Sequence, residues 1–211
     1  MHPVIAHKGT AGTRVTFYGK SCHGATPENG VNAIWQMHAF LNKLHELVNE
    51  WMKYPTPHPI LGNPTINLGT IRGGVKVNMV PDSCSAELDI RFLPGMDASL
   101  IREQIAHIAR SIPRPEKIPP PEIQSGFTAT PYECSPDLPE IALLEQIIGL
   151  QRSFANYATE AALYQKTFPS IVVGPGDIAQ AHQPNEYIHV EQLECGVSGY
   201  EAIIRKFCAL Y

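Results

Sequence analysis

No run of about 18 apolar residues occurs in the chain, so no bilayer-spanning helix is expected. There is no basic excess either. Sixteen Lys and Arg stand against 20 Asp and Glu, a net charge of -4, whereas a nucleic-acid partner requires a positive surface for its phosphates. The five cysteines (Cys22, Cys84, Cys134, Cys195 and Cys208) are odd in number and include no CxxC pair. This argues against a disulfide framework or a cysteine zinc site, points to a reducing cytoplasmic compartment, and leaves most of the thiols as small core residues. Met1 to Gly12 lacks the apolar core and small-residue cleavage site of a signal peptide. No internal repeat is found. What is present is a globular composition: 44% hydrophobic and 17% charged residues can bury a core and make extensive disorder unlikely to pay off energetically.

Periodicity divides the chain. Arg14 to Tyr18 alternates and predicts a strand, followed by a turn-rich loop from Gly19 to Gly30. From Val31 the period becomes helical, with Ile34, Met37, Leu41, Leu44, Val48 and Trp51 on one stripe. Four prolines between Tyr54 and Pro64 end that helix. Thr65 to Arg72 predicts a strand, and Gly73-Gly74 a turn. Ser83 to Phe92 is the clearest strand, with Cys84, Ala86, Leu88, Ile90 and Phe92 facing one way. Asp97 or Ser99 can cap a second helix carrying Ile101, Ile105, Ile108 and Ile112. Pro113 to Pro121 is a loop, and an extended segment follows Glu122. The resulting order is that of a ferredoxin-like, split βαβ unit over residues 11–131, a sheet with helices on one face. Beyond it, Leu138 to Gln151, Thr159 to Gln165 and Val190 to Leu210 read as helices and Ser170 to Val173 as a strand. That remainder resembles a piece of α/β architecture with loops beyond a strand end.

Several residues carry possible chemistry. His182, past the Gly174-Pro175-Gly176 loop, can ligate a metal, act as a base or simply bond to backbone. His23 sits in a loop that could present its imidazole to a ligand or leave it in solvent. Its neighbour Cys22 raises a thiol-imidazole hydrolase, although catalytic partners usually converge from distant segments. Asn78 can bond a carboxylate or form a turn. Arg91, on the polar face of its strand, can grip a carboxylate or pair with a neighbouring acid. Thr159 can bind a ligand or cap a helix.

In order along the chain these residues lie within Ala6-His7-Lys8-Gly9, Cys22-His23-Gly24, Pro27-Glu28-Asn29-Gly30-Val31-Asn32-Ala33, Gly73-Gly74 with Asn78 and Pro81, Asp89-Ile90-Arg91-Phe92-Leu93-Pro94-Gly95, Ala158-Thr159-Glu160-Ala161 and Ala181-His182-Gln183-Pro184-Asn185-Glu186-Tyr187. The set resembles the acetylornithine deacetylase branch of the M20 metallopeptidases over essentially the whole chain. The resemblance implies a zinc-dependent amidohydrolase that removes an acetyl group from acetylornithine or a related N-acyl amino acid in arginine biosynthesis. It implies an α/β protein whose residues 1–10 end a catalytic-domain strand. Residues 11–131 would form an α+β dimerisation lid, and residues 132–211 an incomplete C-terminal portion of an α/β zinc-peptidase catalytic domain. His182 matches a ligand of one of two zincs. His23 matches the lid histidine that steadies the oxyanion at the partner subunit's site, and Asn78, Arg91 and Thr159 match positions that hold the substrate's amino-acid end.

The same resemblance calls for an His-x-Asp pair and adjacent glutamates, and none of the nine histidines has Asp two places on, nor does Glu-Glu occur. The missing parts are expected N-terminal to Met1. The chain alone is therefore expected to be inactive, to dimerise through its lid as a homodimer, and to accept a separate N-terminal half as partner. A non-catalytic dimerisation or interaction module is the alternative. No nucleic acid and no membrane partner is expected.

Overall fold

The computed structural model describes residues 1–53 and 57–208. In chain order the elements are β1 (Val4–His7), β2 (Gly9–Tyr18), α1 (Ala33–Met52), β3 (Thr65–Gly73), β4 (Ser83–Phe92), α2 (Ala98–Arg110), β5 (Glu122–Ala129), β6 (Tyr132–Glu133), α3 (Pro139–Ile148), β7 (Ser153–Ala155), α4 (Ala161–Tyr164) and α5 (Val190–Cys208). They divide between two units, Lys8–Pro131 and Met1–His7 with Tyr132–Tyr211.

The Lys8–Pro131 unit is an antiparallel sheet in the order β3-β4-β2-β5. Its element order is the βαββαβ read from the sequence. Alternation along β4 buries Cys84, Ala86, Leu88, Ile90 and Phe92, which join Val15 and Phe17 of β2 in one core with α1 and α2. Asn32 caps α1 by accepting from the N–H groups of Ile34 and Trp35, and Asp97 caps α2 through Ser99. The buried stripe of α1 is Met37, Phe40, Leu44, Leu47 and Trp51. It differs from the stripe expected at Ile34, Leu41 and Val48, because Phe40 and Leu47 face the sheet while Ile34 lies over open surface. Residues 54–56 of the proline-rich segment lie outside the described residues.

In the other unit β1 is the middle strand of a sheet ordered β6-β1-β7, antiparallel to β6 and parallel to β7. Ser170 to Val173, expected as a strand, contributes only a bridge in which Val4 and Val172 exchange backbone hydrogen bonds of 2.7 and 3.2 Å. The two short strands that do complete the sheet have no readable periodicity. α3 ends at Gly149, whose φ of +74° is open to glycine at little cost, so the helix stops short of the expected Gln151. The helix expected from Thr159 begins at Ala161. Along α5 only Gly196 is buried, and Val190, Leu193, Val197, Tyr200 and Ile204 form an exposed apolar stripe at helical spacing. The end of that helix expected at Leu210 lies outside the described residues. Cys84 and Cys134 are buried, but Cys195 and Cys208 are exposed and Cys22 is half-buried, so the thiols are not mainly core residues. No described helix is long and apolar enough to cross a membrane.

Two outcomes follow for stability. Phe40→Ala removes a fully buried ring that contacts Phe17, with centroids 5.6 Å apart, and should cost about 3–5 kcal/mol in denaturant unfolding of the Lys8–Pro131 unit. In the other unit, Arg152 bonds Glu145 at 2.9 Å and holds its carboxyl below the ordinary 4.5. A lowered folded value adds stability that is present above pH 4.5 and lost as pH falls through the lowered value. Glu145→Gln should therefore flatten the acid limb of that unit's stability against pH, measured by thermal unfolding between pH 6 and pH 3.

Candidate functional site

The loop carrying His23 is held against the loop carrying Asn78 by backbone pairing. Gly24 N–H donates to Asn78 O at 2.8 Å, Val80 N–H donates to Cys22 O at 2.9 Å, and His23 bridges Met79. Flanking bonds from Gly19 N–H to Asp82 O at 2.8 Å and from Ala33 N–H to Pro81 O at 2.9 Å extend the zipper to the ends of β2 and α1. Close approach is permitted by small residues: a Cβ on Gly24 would stand 3.0 Å from Asn78 C, and one on Gly30 would stand 2.6 Å from Cys22 Sγ and 2.7 Å from Lys20 O. His23 and Asn78, distant in sequence, are thus brought together on one exposed rim.

The state of the His23 ring follows from its local turn. Ala25 N–H donates to Nδ1 at 3.1 Å, so in the neutral ring the proton sits on Nε2. On this exposed ring that nitrogen is then a donor, the polarity needed to stabilise negative charge on an oxygen. Cys22 Sγ turns instead toward the carbonyl oxygen of Thr26 at 3.3 Å, an arrangement that gives no thiol-imidazole pair. The neighbouring loop carries Val75 and Val77 fully out of the protein.

Arg91 lies elsewhere. It sits at the far end of β4, roughly 27 Å along the strand from Ser83 at 3.4 Å per residue. Its guanidinium bonds Asp89 through Nε at 3.1 Å and through NH2 at 3.0 Å, while Thr10 donates to the other carboxylate oxygen at 3.2 Å. The pairing acid is on the same strand. Beside it Lys8 donates to Asn63 O at 2.5 Å, and partial burial, with the Arg91 charge second, lowers its pKa.

Thr159 and His182 belong to the other unit. Thr159 meets His7, a fully buried histidine of β1: His7 Nε2 is 3.0 Å from Thr159 N and 3.1 Å from Thr159 Oγ1. His182 is exposed with φ +62°, the single non-glycine positive φ among the described residues. Histidine tolerates this region better than most residues, at a cost on the order of 1–3 kcal/mol. The conformation is held by Glu186, whose carboxylate accepts the His182 N–H at 3.1 Å, and by Asp177, which accepts Ala179 N–H at 2.9 Å in the preceding turn. An open cleft of about 810 Å³ in this unit is lined by Asn156, Tyr157, Ala181 and Glu186, close in sequence to Thr159 and His182. As a zinc ligand His182 would supply one donor. Among the described residues no group of three or more His, Cys, Asp or Glu comes together to hold a metal, and a zinc site takes three or four protein donors. The supporting residues His7, Asp177 and Glu186 lie in or beside the quoted motifs, but sequence assigns them no role, since each acts through a contact and not through a pattern.

Residues 5–117 match the family described as peptidase dimerisation domain. The acetylornithine deacetylase of Pectobacterium atrosepticum is 35% identical over 99% of the chain and 55% of that protein, and that of Vibrio vulnificus 36% identical over 98% and 55%. The chain spans about half the length of these relatives. Among solved structures, the aminopeptidase PepT of Bacillus cereus has a TM-score of 0.70 at 21% identity, covering 97% of this chain and 53% of that one. A Staphylococcus aureus tripeptidase gives 0.70 at 20% identity with the same coverages. These two likenesses are ones of fold.

Gly30→Ala tests the zipper. Its backbone is extended and acceptable to alanine, so the penalty comes from the close contacts with Cys22, Lys20 and Val80. Amide exchange at Gly24 and Val80 should quicken at least tenfold, with that of Leu88 in β4 unchanged.

Proposed function

Because the chain belongs to the M20 peptidases through its peptidase dimerisation domain, we propose that it is part of a zinc-dependent amidohydrolase acting on N-acetylornithine or a related N-acyl amino acid. The Lys8–Pro131 unit is its dimerisation lid, and the other unit is a portion of its catalytic domain. The observation that carries the reading is the bond from Ala25 N–H to Nδ1 of the exposed His23, which leaves Nε2–H as the donor of a ring set beside Asn78. Acyl transfer places negative charge on the former carbonyl oxygen, and a preorganised neutral donor stabilises that charge without reorganising. Asn78 offers an amide beside it for the substrate's amino-acid end. Arg91 stands at the opposite end of the same lid, so on this reading its carboxylate-gripping role and that of the His23–Asn78 rim serve different sites of the dimer. Thr159 contacts the substrate from the catalytic portion.

Zinc, when bound, would polarise the amide carbonyl and lower the pKa of a water. His182 would supply one ligand. The described residues bring it no companions, so the other ligands and the general base are assigned to the length that the relatives possess beyond the matched part. On this reading the chain alone is inactive. A homodimer through the lid is supported by the open edge of β3 and the exposed Leu68 and Ile71 on that strand. The exposed stripe of α5 supports contact with a further segment of catalytic domain.

Complementation tests the proposal. The part of the Pectobacterium acetylornithine deacetylase that this chain does not match should, when co-expressed with the chain, restore hydrolysis of N-acetylornithine. A chelator should abolish the activity and added zinc return it. In that complex His23→Ala should lower kcat by about 10²–10³ while leaving the melting temperature unchanged, because the ring is exposed. A stable lid dimer without any restored activity would favour a dimerisation module instead.

A further inference from the structure

His7 occupies the middle strand of the three-stranded sheet, between Tyr132 of β6 and Ala155 of β7. It has no exposed surface. The Tyr132 ring packs against it with centroids 5.5 Å apart, and Ile5 and Ala6 precede it in the buried strand. A buried imidazole costs stability unless its nitrogens are bonded. Here Nε2 points at Thr159 and reaches both its backbone nitrogen and its hydroxyl.

The chemistry of these two contacts is asymmetric. A backbone N–H can only donate, so Nε2 must carry the lone pair and the ring is the neutral Nδ1–H form. The hydroxyl, 3.1 Å from the same lone pair, can then only donate to it as well. The hydroxyl hydrogen of Thr159 is thereby directed inward, and the two lone pairs of Oγ1 are left facing away from the strand. Thr159 itself is half-buried. We propose that His7 is a positioning residue that fixes both the place and the polarity of Thr159, making its hydroxyl an acceptor that selects a hydrogen-bond donor on the ligand, such as the amide N–H or ammonium group of an N-acyl diamino acid. The part of this statement that concerns a ligand rests on the function proposed above; the part that concerns polarity does not.

The wiring explains two features together. Thr159 precedes α4 by two residues, too early for its side chain to cap it, and α4 has no side-chain cap. The threonine is instead tied to β1, 152 residues earlier in the chain. A hydrogen-bonded tether from the central strand gives an otherwise short, irregular segment the rigidity of the sheet.

Nitrogen-15 NMR of the 211-residue chain tests the polarity directly. His7 should show a protonated Nδ1 and an unprotonated Nε2, and the Thr159 amide should be protected from exchange. His7→Leu should accelerate exchange of that amide at least tenfold, while His7→Gln, whose side-chain carbonyl can reach the same position, should restore protection. A proton on Nε2, or an exchange rate unaltered by His7→Leu, would overturn the proposal. If His7→Leu does not fold, the ring's protonation pattern and the His7→Gln variant still decide it. In the activity-restoring complex, His7→Leu should raise KM for N-acetylornithine on the order of tenfold and leave kcat within twofold. A fall in kcat without a change in KM would sink the selective role. Absence of restored activity in the unmutated complex would count against the proposed function alone, because the NMR readouts need no substrate.

Discussion

The pairing of β2 with β4 is the constraint on which the lid depends. Both strands are central, both bury one face, and their register sets Val15 opposite Ala86 and Phe17 opposite Cys84. A slip of one residue would turn Cys84, Ala86, Leu88, Ile90 and Phe92 to solvent and put Glu87 and Asp89 under the helices. Because the register is so strongly enforced, its two ends are fixed points. At one end, the loops after β2 and before β4 meet and zip together, setting His23 beside Asn78. At the other, Thr10 and Asp89 gather around Arg91. The chemical character of each rim is a product of hydrophobic burial in the middle of the sheet.

The lid was legible because its signals are local and repeated. Five alternating apolar residues in β4, Ile101, Ile105 and Ile108 on α2, and glycine or proline between elements each point to the same arrangement. The α1 stripe was misread by part of a turn, since Ile34, Leu41 and Val48 are as apolar as the residues that are buried, and sequence does not say which side the sheet will take. The second sheet was not legible. β6 has two residues and β7 three, too few for any period, and their pairing with β1 is decided by partners far along the chain. Ser170 to Val173 looked more like a strand than either, and it makes only a bridge.

For the site, resemblance supplied the names of His23, Asn78, Arg91, Thr159 and His182 but not their relations. That His23 and Asn78 share a rim while Arg91 stands at the other end follows from register, which no motif encodes. The orientation of the His23 ring follows from one backbone N–H two residues on. Asp177 and Glu186, which hold the left-handed backbone at His182, are visible in sequence only as polar members of a loop. The proton arrangement at His7 depends on Thr159, 152 residues further along the chain.

The lid interrupts the other unit between His7 and Tyr132, two residues that are paired neighbours in one sheet. Closing so long a loop in an unfolded chain is entropically costly, and such pairing is slow to form. Yet the lid begins and ends on adjacent strands, with Thr10 opposite Ala129. Once the lid has folded, the chain on either side of it emerges from almost the same place, and β1 finds β6 across a short gap. Folding the inserted unit first shortens the loop that β1 and β6 must close, so a lesion in the lid core should delay formation of a sheet that it does not itself belong to.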